Sequence, residues 1–334
     1  MSTTEQTKAT TVNMLQAINM ALDDALGADP NVLVFGEDVA DPQEGGVIGV
    51  TKGLSTKHGA MRVRSTPISE QAIIGAAIGA SIAGMKPVAE IMLMNFTTVA
   101  MDMIVNHAAK LRFMSGGQTH VPIVIRTMTG AGFSTGGQHA DFLEAWFCHT
   151  AGLKVVIPST PADAYGLMLS CIDDPDPCLF IENLPLYWTP GAVPERGVRI
   201  PLGQAKVVRE GTGVSIITYS RQVFDALAVA EKLAKEGKSV EVLDLRTISP
   251  LDEKAILASV GKTRRAVVVH EATKSCGVGA EVSSRIHEAL HSQLLAPVQR
   301  LGSAFCAVPF SKPLETAFVP SQDQIEAAVR RTLA

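Results

Sequence analysis

Thr66-Pro67-Ile68-Ser69-Glu70-Gln71-Ala72-Ile73-Ile74-Gly75-Ala76-Ala77-Ile78-Gly79-Ala80-Ser81-Ile82-Ala83-Gly84-Met85-Lys86-Pro87-Val88-Ala89-Glu90-Ile91-Met92-Leu93-Met94 reads as a helix followed by a buried strand. Thr66-Pro67 opens the helix, with Pro in its first turn where the missing N–H costs nothing. Gly75, Gly79 and Gly84 leave room for close backbone approach. Val88–Met94 is a short apolar run bounded by turn residues, as expected of a strand covered on both faces. The same unit recurs outward in both directions. Before it, Thr11 can cap a helix running to Leu26, and Val32–Phe35 is a strand ending in Gly36-Glu37-Asp38. After it come a helix over Thr97–Phe113 and a strand over Val121–Met128. A Gly-rich loop, Thr129–Gln138, and a strand over Leu153–Ile157 follow. Then comes a helix capped by Ser159 or Thr160, and a strand over Cys178–Glu182.

Leu184–Leu202 holds Pro185, Pro190, Pro194 and Pro201 and reads as a linker. Beyond it, strands at Val214–Tyr219, Val240–Leu245, Ala266–His270 and Val298–Leu301 alternate with helices. The helices are Arg221–Glu236, Asp252–Val260, Val278–Leu290 and Gln322–Leu333. Strict alternation predicts an α/β chain with two doubly wound, mostly parallel sheets. The expected division is residues 1–188, a linker at 189–203, and 204–334. In open sheets of this kind, ligands sit beyond the carboxyl ends of the strands. The Gly-rich loops there, Gly36–Gly53 and Thr129–His139, put the site in the first half.

Composition removes several classes. The chain has 334 residues, 46% apolar and 19% charged, so two ordinary cores are affordable. A net charge of −4 offers no basic footprint for nucleic acid and no polybasic membrane patch. Ala72–Ala83 is far short of the roughly 20 apolar residues a spanning helix needs. Met1–Thr11 is polar, unlike a secretion signal. The five cysteines, Cys148, Cys171, Cys178, Cys276 and Cys306, make no close pair and read as free thiols. A soluble cytoplasmic protein is expected.

The chain has no GxxxxGK[ST] phosphate loop, no GxGxxG fingerprint and no GxSxG elbow. His107 and His120 lack metal-ligand spacing. Glu70, in the first turn of an apolar helix, is either a dipole-complementing acid or a buried acid that binds a ring. His139, ending a Gly-rich loop, is either a surface histidine or a general acid. His270-Glu271 reads as a polar strand end. Asp173, Asp174 and Asp176 read as turn residues, with a hard-cation site as the alternative.

Six segments spread in order along the chain carry a resemblance. They are Gly36-Glu37-Asp38-Val39, Gly46–Leu54, Thr66–Glu70, Gly152–Val156, Asp244–Asp252 and Gly277–Glu281. Together they resemble the beta chains of the thiamine-diphosphate-dependent decarboxylating component of pyruvate, branched-chain 2-oxo acid and acetoin dehydrogenases. The resemblance implies a pyrimidine-binding domain followed by a transketolase C-terminal domain. It also implies an alpha subunit in a two-plus-two assembly with a beta–beta contact. Thiamine diphosphate would lie between the subunits, its diphosphate and magnesium on the alpha chain. No GDG…N diphosphate motif occurs here, consistent with that division.

By the same resemblance, Glu70 is the cofactor-activating acid and Phe96 packs on the pyrimidine, with Glu37 and Ile68 lining the same pocket. His139 is the proton-transfer group as an acyl group passes to the lipoyl arm of an acyltransferase. The family also implies potassium held by a carbonyl near Ile123 and by groups around Cys171, Asp174 and Asp176. This sequence reads His139-Ala140-Asp141 where many relatives read His-Ser-Gln, so Asp141 is free either to pair with the imidazole or to alter substrate choice. The substrate implied is a 2-oxo acid. The alternatives are acetoin, a carbon–carbon ligase without lipoyl transfer, and a non-catalytic scaffold. The second half is expected to serve the beta–beta contact and acyltransferase docking, with His270-Glu271 structural or interfacial.

Overall fold

A computed structural model describes residues 11–334; the polar stretch at 1–10 lies outside the described residues. Fourteen strands fall within it: β1 Thr11–Asn13, β2 Val32–Glu37, β3 Val63–Thr66, β4 Lys86–Leu93, β5 Val124–Thr129, β6 Lys154–Val156, β7 Cys178–Asn183, β8 Pro190–Ala192, β9 Lys206–Arg209, β10 Val214–Thr218, β11 Val240–Asp244, β12 Thr247–Ser249, β13 Ala266–Thr273 and β14 Gln299–Ser303. The first half supplies six strands of a seven-stranded sheet in the order β12-β6-β7-β5-β4-β2-β3, with β12 crossing from the second half. The second builds a five-stranded sheet in the order β14-β13-β10-β11-β9. Both are parallel except at one edge, where β12 and β9 run antiparallel to their neighbours.

Alternation along the central strands sends side chains to two faces. Val88 and Val124 join the helices Met14–Ala28 and Pro161–Asp173. Ala89, Ile91 and Ile125 join the helix Glu70–Ile82 on the other face. That second core continues without a break into the other half, through Ile217, Leu243, Ile248 and Val282. The two halves therefore share apolar interior as well as a backbone connection. No helix among the described residues is long and apolar enough to cross a membrane.

Several local expectations change. The first helix is capped by Asn13, not Thr11: Asn13 Oδ1 accepts from Gln16 N at 2.9 Å and Gln16 Oε1 accepts from Asn13 N at 3.0 Å. Thr11–Asn13 is extended because it pairs with Pro190–Ala192, so the Pro-rich stretch carries a strand. Thr66-Pro67 does not open a helix. Thr66 ends β3, and the helix starts at Glu70. No backbone comes close at Gly75 or Gly79: a Cβ on Gly75 would meet only the Met103 sulfur, at 3.6 Å, and Gly79 faces open space. Gly84, at φ 90°, terminates the helix: Met85 N donates to Ala80 O and Gly84 N to Ser81 O. Thr97–Phe113 is not one helix. It breaks into a 3-10 turn at Met94–Thr98, a widened π-type stretch at Met103–Ala108 and one turn at Leu111–Met114.

Candidate active site

The sheet order places β3, β2, β4 and β5 side by side, with Glu37 opposite Thr66. Their carboxyl ends therefore bring Glu37, the Ile68–Glu70 turn, Asn95-Phe96 and the His139 loop to one rim. Glu70 is 8% exposed at the first position of its helix: it is a buried acid that also stands where a carboxylate complements the helix dipole. Glu37 Oε1 is buried without a partner. Burial pushes the Glu37 carboxyl up from its ordinary value, and the charges of Glu70 and Asp38 push the same way. Two adjacent buried acids with an unsatisfied oxygen are costly unless something outside the chain accepts or shares a proton.

Ile68 is 83% exposed beside them. Covering a side chain of this size gains roughly 1.5–3 kcal/mol, which suits a site completed by another surface. Phe96 lies half-buried against both cores of the first half, and its ring meets the His139 imidazole edge-on at 5.5 Å. A pyrimidine ring therefore fits this rim: an acid for its ring nitrogen, an unpartnered carboxyl oxygen and an aromatic wall.

Asp141 does not pair with the imidazole. Its Oδ2 accepts from Asn95 Nδ2 at 2.9 Å, and its N–H donates to Asn95 Oδ1 at 3.2 Å. This reciprocal pair ties the Phe96 turn to the His139 loop. Asn95 Nδ2 also reaches Gly137 O at 3.4 Å.

Behind the rim lies a buried ionic layer that sequence reading missed. Arg126 on β5 donates to both oxygens of Glu182 on β7, at 2.7 and 2.8 Å, and also pairs with Glu90 on β4. Tyr187 donates to Glu182. Burial pushes the Glu90 carboxyl up, the Arg126 charge opposes this, and the net shift is upward. Burial works against the Arg126 charge, but Glu182 and Glu90 hold its proton on more firmly than usual. The signal was available: lone charges stand inside otherwise apolar strands at Glu90, Arg126 and Glu182, where an unpaired ion is almost never tolerated.

The residues expected around potassium are close together but already engaged. Ile123 O accepts from Cys178 N at 2.9 Å, and Cys171 O accepts from Asp174 N at 3.3 Å. Lys154 donates to Asp174 and, at 3.1 Å, to Asp176, while Arg112 reaches Asp176 at 2.6 Å. Burial alone would raise the Asp176 carboxyl, yet these hydrogen bonds hold it below its usual range. Among the described residues no group of three or more His, Cys, Asp or Glu side chains could hold a metal ion. The Lys154 ammonium supplies positive charge beside Asp174 and Asp176. His270 is buried and its Nδ1 lies 3.1 Å from Ala272 O; burial pulls its pKa down to about 4. It is a neutral packing residue.

Comparison with known proteins agrees with this architecture. Residues 10–188 match the transketolase pyrimidine-binding domain, and residues 203–325 match the transketolase C-terminal domain. The chain is 46% identical to the beta subunit of acetoin:2,6-dichlorophenolindophenol oxidoreductase from Cupriavidus necator, over 95% of this chain and 96% of that one. It is 44% identical to the pyruvate dehydrogenase E1 component subunit beta of Bacillus subtilis, over 96% and 98%. Among solved structures, an inactive beta4 tetramer of a split-gene transketolase superposes with a TM-score of 0.76 at 21% identity, covering 96% of this chain and 98% of that one, a likeness of fold. The chain belongs to the transketolase-like family of beta subunits that includes those of pyruvate dehydrogenase E1 and acetoin:2,6-dichlorophenolindophenol oxidoreductase.

Proposed function

We propose that this chain is the beta subunit of a thiamine-diphosphate-dependent decarboxylating component acting on a 2-oxo acid in the cytoplasm, and that it is active only when an alpha subunit completes its site. The observation that carries this reading is the buried Glu70 beside the unpartnered Glu37 oxygen, next to the uncovered Ile68. The alpha chain would hold the diphosphate and magnesium; this chain would hold the pyrimidine through Glu70, Glu37, Ile68 and Phe96. When bound, the cofactor supplies a carbon nucleophile and an electron sink for decarboxylation.

The Glu70 carboxyl would hydrogen-bond the pyrimidine ring nitrogen, and its burial would strengthen that bond. Phe96 fixes the ring plane and walls the imidazole from one side. His139 moves a proton as the acyl group leaves for a lipoyl arm carried by an acyltransferase partner. Glu37, Glu70, Phe96 and His139 follow the carboxyl ends of four neighbouring strands, which supports this reading.

The relative from C. necator favours acetoin as a second substrate reading. The residues of this chain serve either substrate, and a panel of pyruvate, branched-chain 2-oxo acids and acetoin on the co-purified pair distinguishes them. The decisive experiment is Glu70→Gln in the co-expressed complex, assayed with an artificial electron acceptor. A loss on the order of 10²- to 10⁴-fold is expected, with assembly retained. Unchanged turnover would remove Glu70 from the mechanism.

A further inference from the structure

The loop carrying His139 is held from the other half of the molecule. Gly130, Gly132, Ser134 and Gly136 all have positive φ, at 117°, 142°, 57° and 76°. Such backbone turns N–H groups outward into a concave array that binds anions. Two carboxylates of the second half occupy it. Glu271, on β13, accepts from Ala131 N at 2.7 Å through one oxygen and from Asn183 Nδ2 at 2.9 Å through the other. Glu315, on the helix Lys312–Phe318, accepts from Gly132 N at 2.6 Å and Ser134 N at 3.0 Å through a single oxygen. Both acids are nearly fully buried, 4% and 2% exposed.

The loop carbonyls are held by cations of the same half. Arg221 donates to Ala131 O at 3.0 Å and Lys312 donates to Gly132 O. At the far end, a Cβ on Gly136 would lie 2.3 Å from the Phe310 ring, so the aromatic sits directly on the glycine backbone. His139 N then closes a turn onto Gly136 O at 3.2 Å.

A Gly-rich loop left to itself would sample many conformations. Here the carboxyl oxygens of Glu271 and Glu315 fix three N–H groups within four residues. A displacement of about 1 Å in a reacting group can cost on the order of 10²-fold in rate. We infer that Glu271 and Glu315 are positioning residues for His139, setting its imidazole by gripping the backbone of its loop. The second half thereby takes part in the reaction without touching the reacting atoms. The inference rests on His139 acting in proton transfer, as proposed above, and it replaces the expectation that Glu271 is only structural or interfacial.

The test uses the complex with its alpha subunit. Glu315→Ala is expected to lower kcat for acyl transfer to a lipoylated acceptor by about 10- to 100-fold, with KM for the substrate within about twofold. Glu315→Gln keeps an oxygen for both N–H groups and is expected to recover most of the loss. In a His139→Ala background, Glu315→Ala is expected to add less than about twofold, because both changes remove the same contribution. Exchange of the cofactor's C2 proton, followed by NMR after acid quench, should stay unchanged in Glu315→Ala and slow in Glu70→Gln.

Full kcat in Glu315→Ala, losses that add in the His139→Ala background, or slowed C2 exchange in Glu315→Ala would each overturn the inference. A His139→Ala complex with full lipoyl transfer would overturn the reading of His139 and the inference together. Loss of C2 exchange in Glu70→Gln alone would leave the cofactor reading standing. Glu271→Gln, which turns an acceptor into a donor facing Ala131 or Asn183, is the second variant should Glu315→Ala fail to assemble. The same non-additive loss is expected from it, and additivity there would count equally against the inference.

Discussion

At the carboxyl edge of the first sheet, Glu37, Ile68 and Glu70 present an unpartnered oxygen and an uncovered apolar side chain at one rim. At the same edge of the second sheet, similar residue types are turned inward. Tyr219 donates to Glu144 at 2.7 Å, Arg246 donates to Asp163 at 3.0 Å, and Glu271 takes Ala131 N and Asn183. Each of these contacts crosses between the halves. Topology makes both edges candidates for ligand binding. What differs is what meets the acids of each edge: those of the second are bonded by groups of the first half, and beside those of the first Ile68 lies uncovered.

That contrast can be broken in three places. The largest effect is expected under the open edge. Arg126→Met leaves Glu90 buried without its partner and Glu182 with only the Tyr187 hydroxyl, and a loss of about 3–5 kcal/mol in chemical denaturation is expected. A loss below about 1 kcal/mol would mean that water reaches this layer and that the open edge extends further inward than the burial indicates.

A smaller loss is expected at the closed edge. Tyr219→Phe removes the donor to Glu144, whose second oxygen is already without a partner, at a cost of about 1–3 kcal/mol. Turnover at saturating substrate should be unaffected at temperatures below the transition. If activity falls with stability intact, the two edges are less separate than described.

A pH dependence of opposite sign is also expected in the two regions. Burial pushes Glu144 up to about 8. Burial, then the charge of Asp163, pushes Asp244 up to about 7. For an acid raised in the fold, the native state binds the extra proton, so stability is fullest below the unfolded value near 4 and declines as pH rises toward 8. Asp41, in the Gly-rich loop of the first half, behaves the other way. Burial would raise it, but hydrogen bonds from Thr56 and Gly53 outweigh this and hold it at about 2. Its contribution is present above pH 4 and lost as pH falls toward 2. Urea midpoints between pH 2 and pH 9 should therefore fall on both limbs. Glu144→Gln should flatten the alkaline limb and leave the acid limb in place.

Much of the candidate site was legible because its residues follow strand ends in sequence. Glu37 ends β2, Glu70 opens the next helix after β3, Phe96 follows β4, and His139 closes the loop after β5. Reading the strands in order therefore reads the rim. The supporting residues were hidden by distance: Glu271 lies 140 positions from Ala131, and Glu315 lies 183 from Gly132. Asn95 and Asp141 are 46 apart, and nothing local marks them as a pair. Asp141 looked like a partner for His139 because it is two residues away, and neighbours along an irregular loop need not face each other.

By itself the sequence determined where the regular elements lie when their signals are local. Val278–Leu290 lies where its apolar period places it, and Gln322–Leu333 starts at the cap built by the reciprocal Ser321–Gln324 bonds. Only the tertiary structure decided that Thr247–Ser249 crosses to pair with β6, that Thr97–Phe113 breaks into three pieces, and that a strand-end glutamate of one half grips a loop of the other. Periodicity and capping are energies within a few residues, whereas an edge strand or a buried carboxylate is stabilised by groups that meet only after the chain has folded.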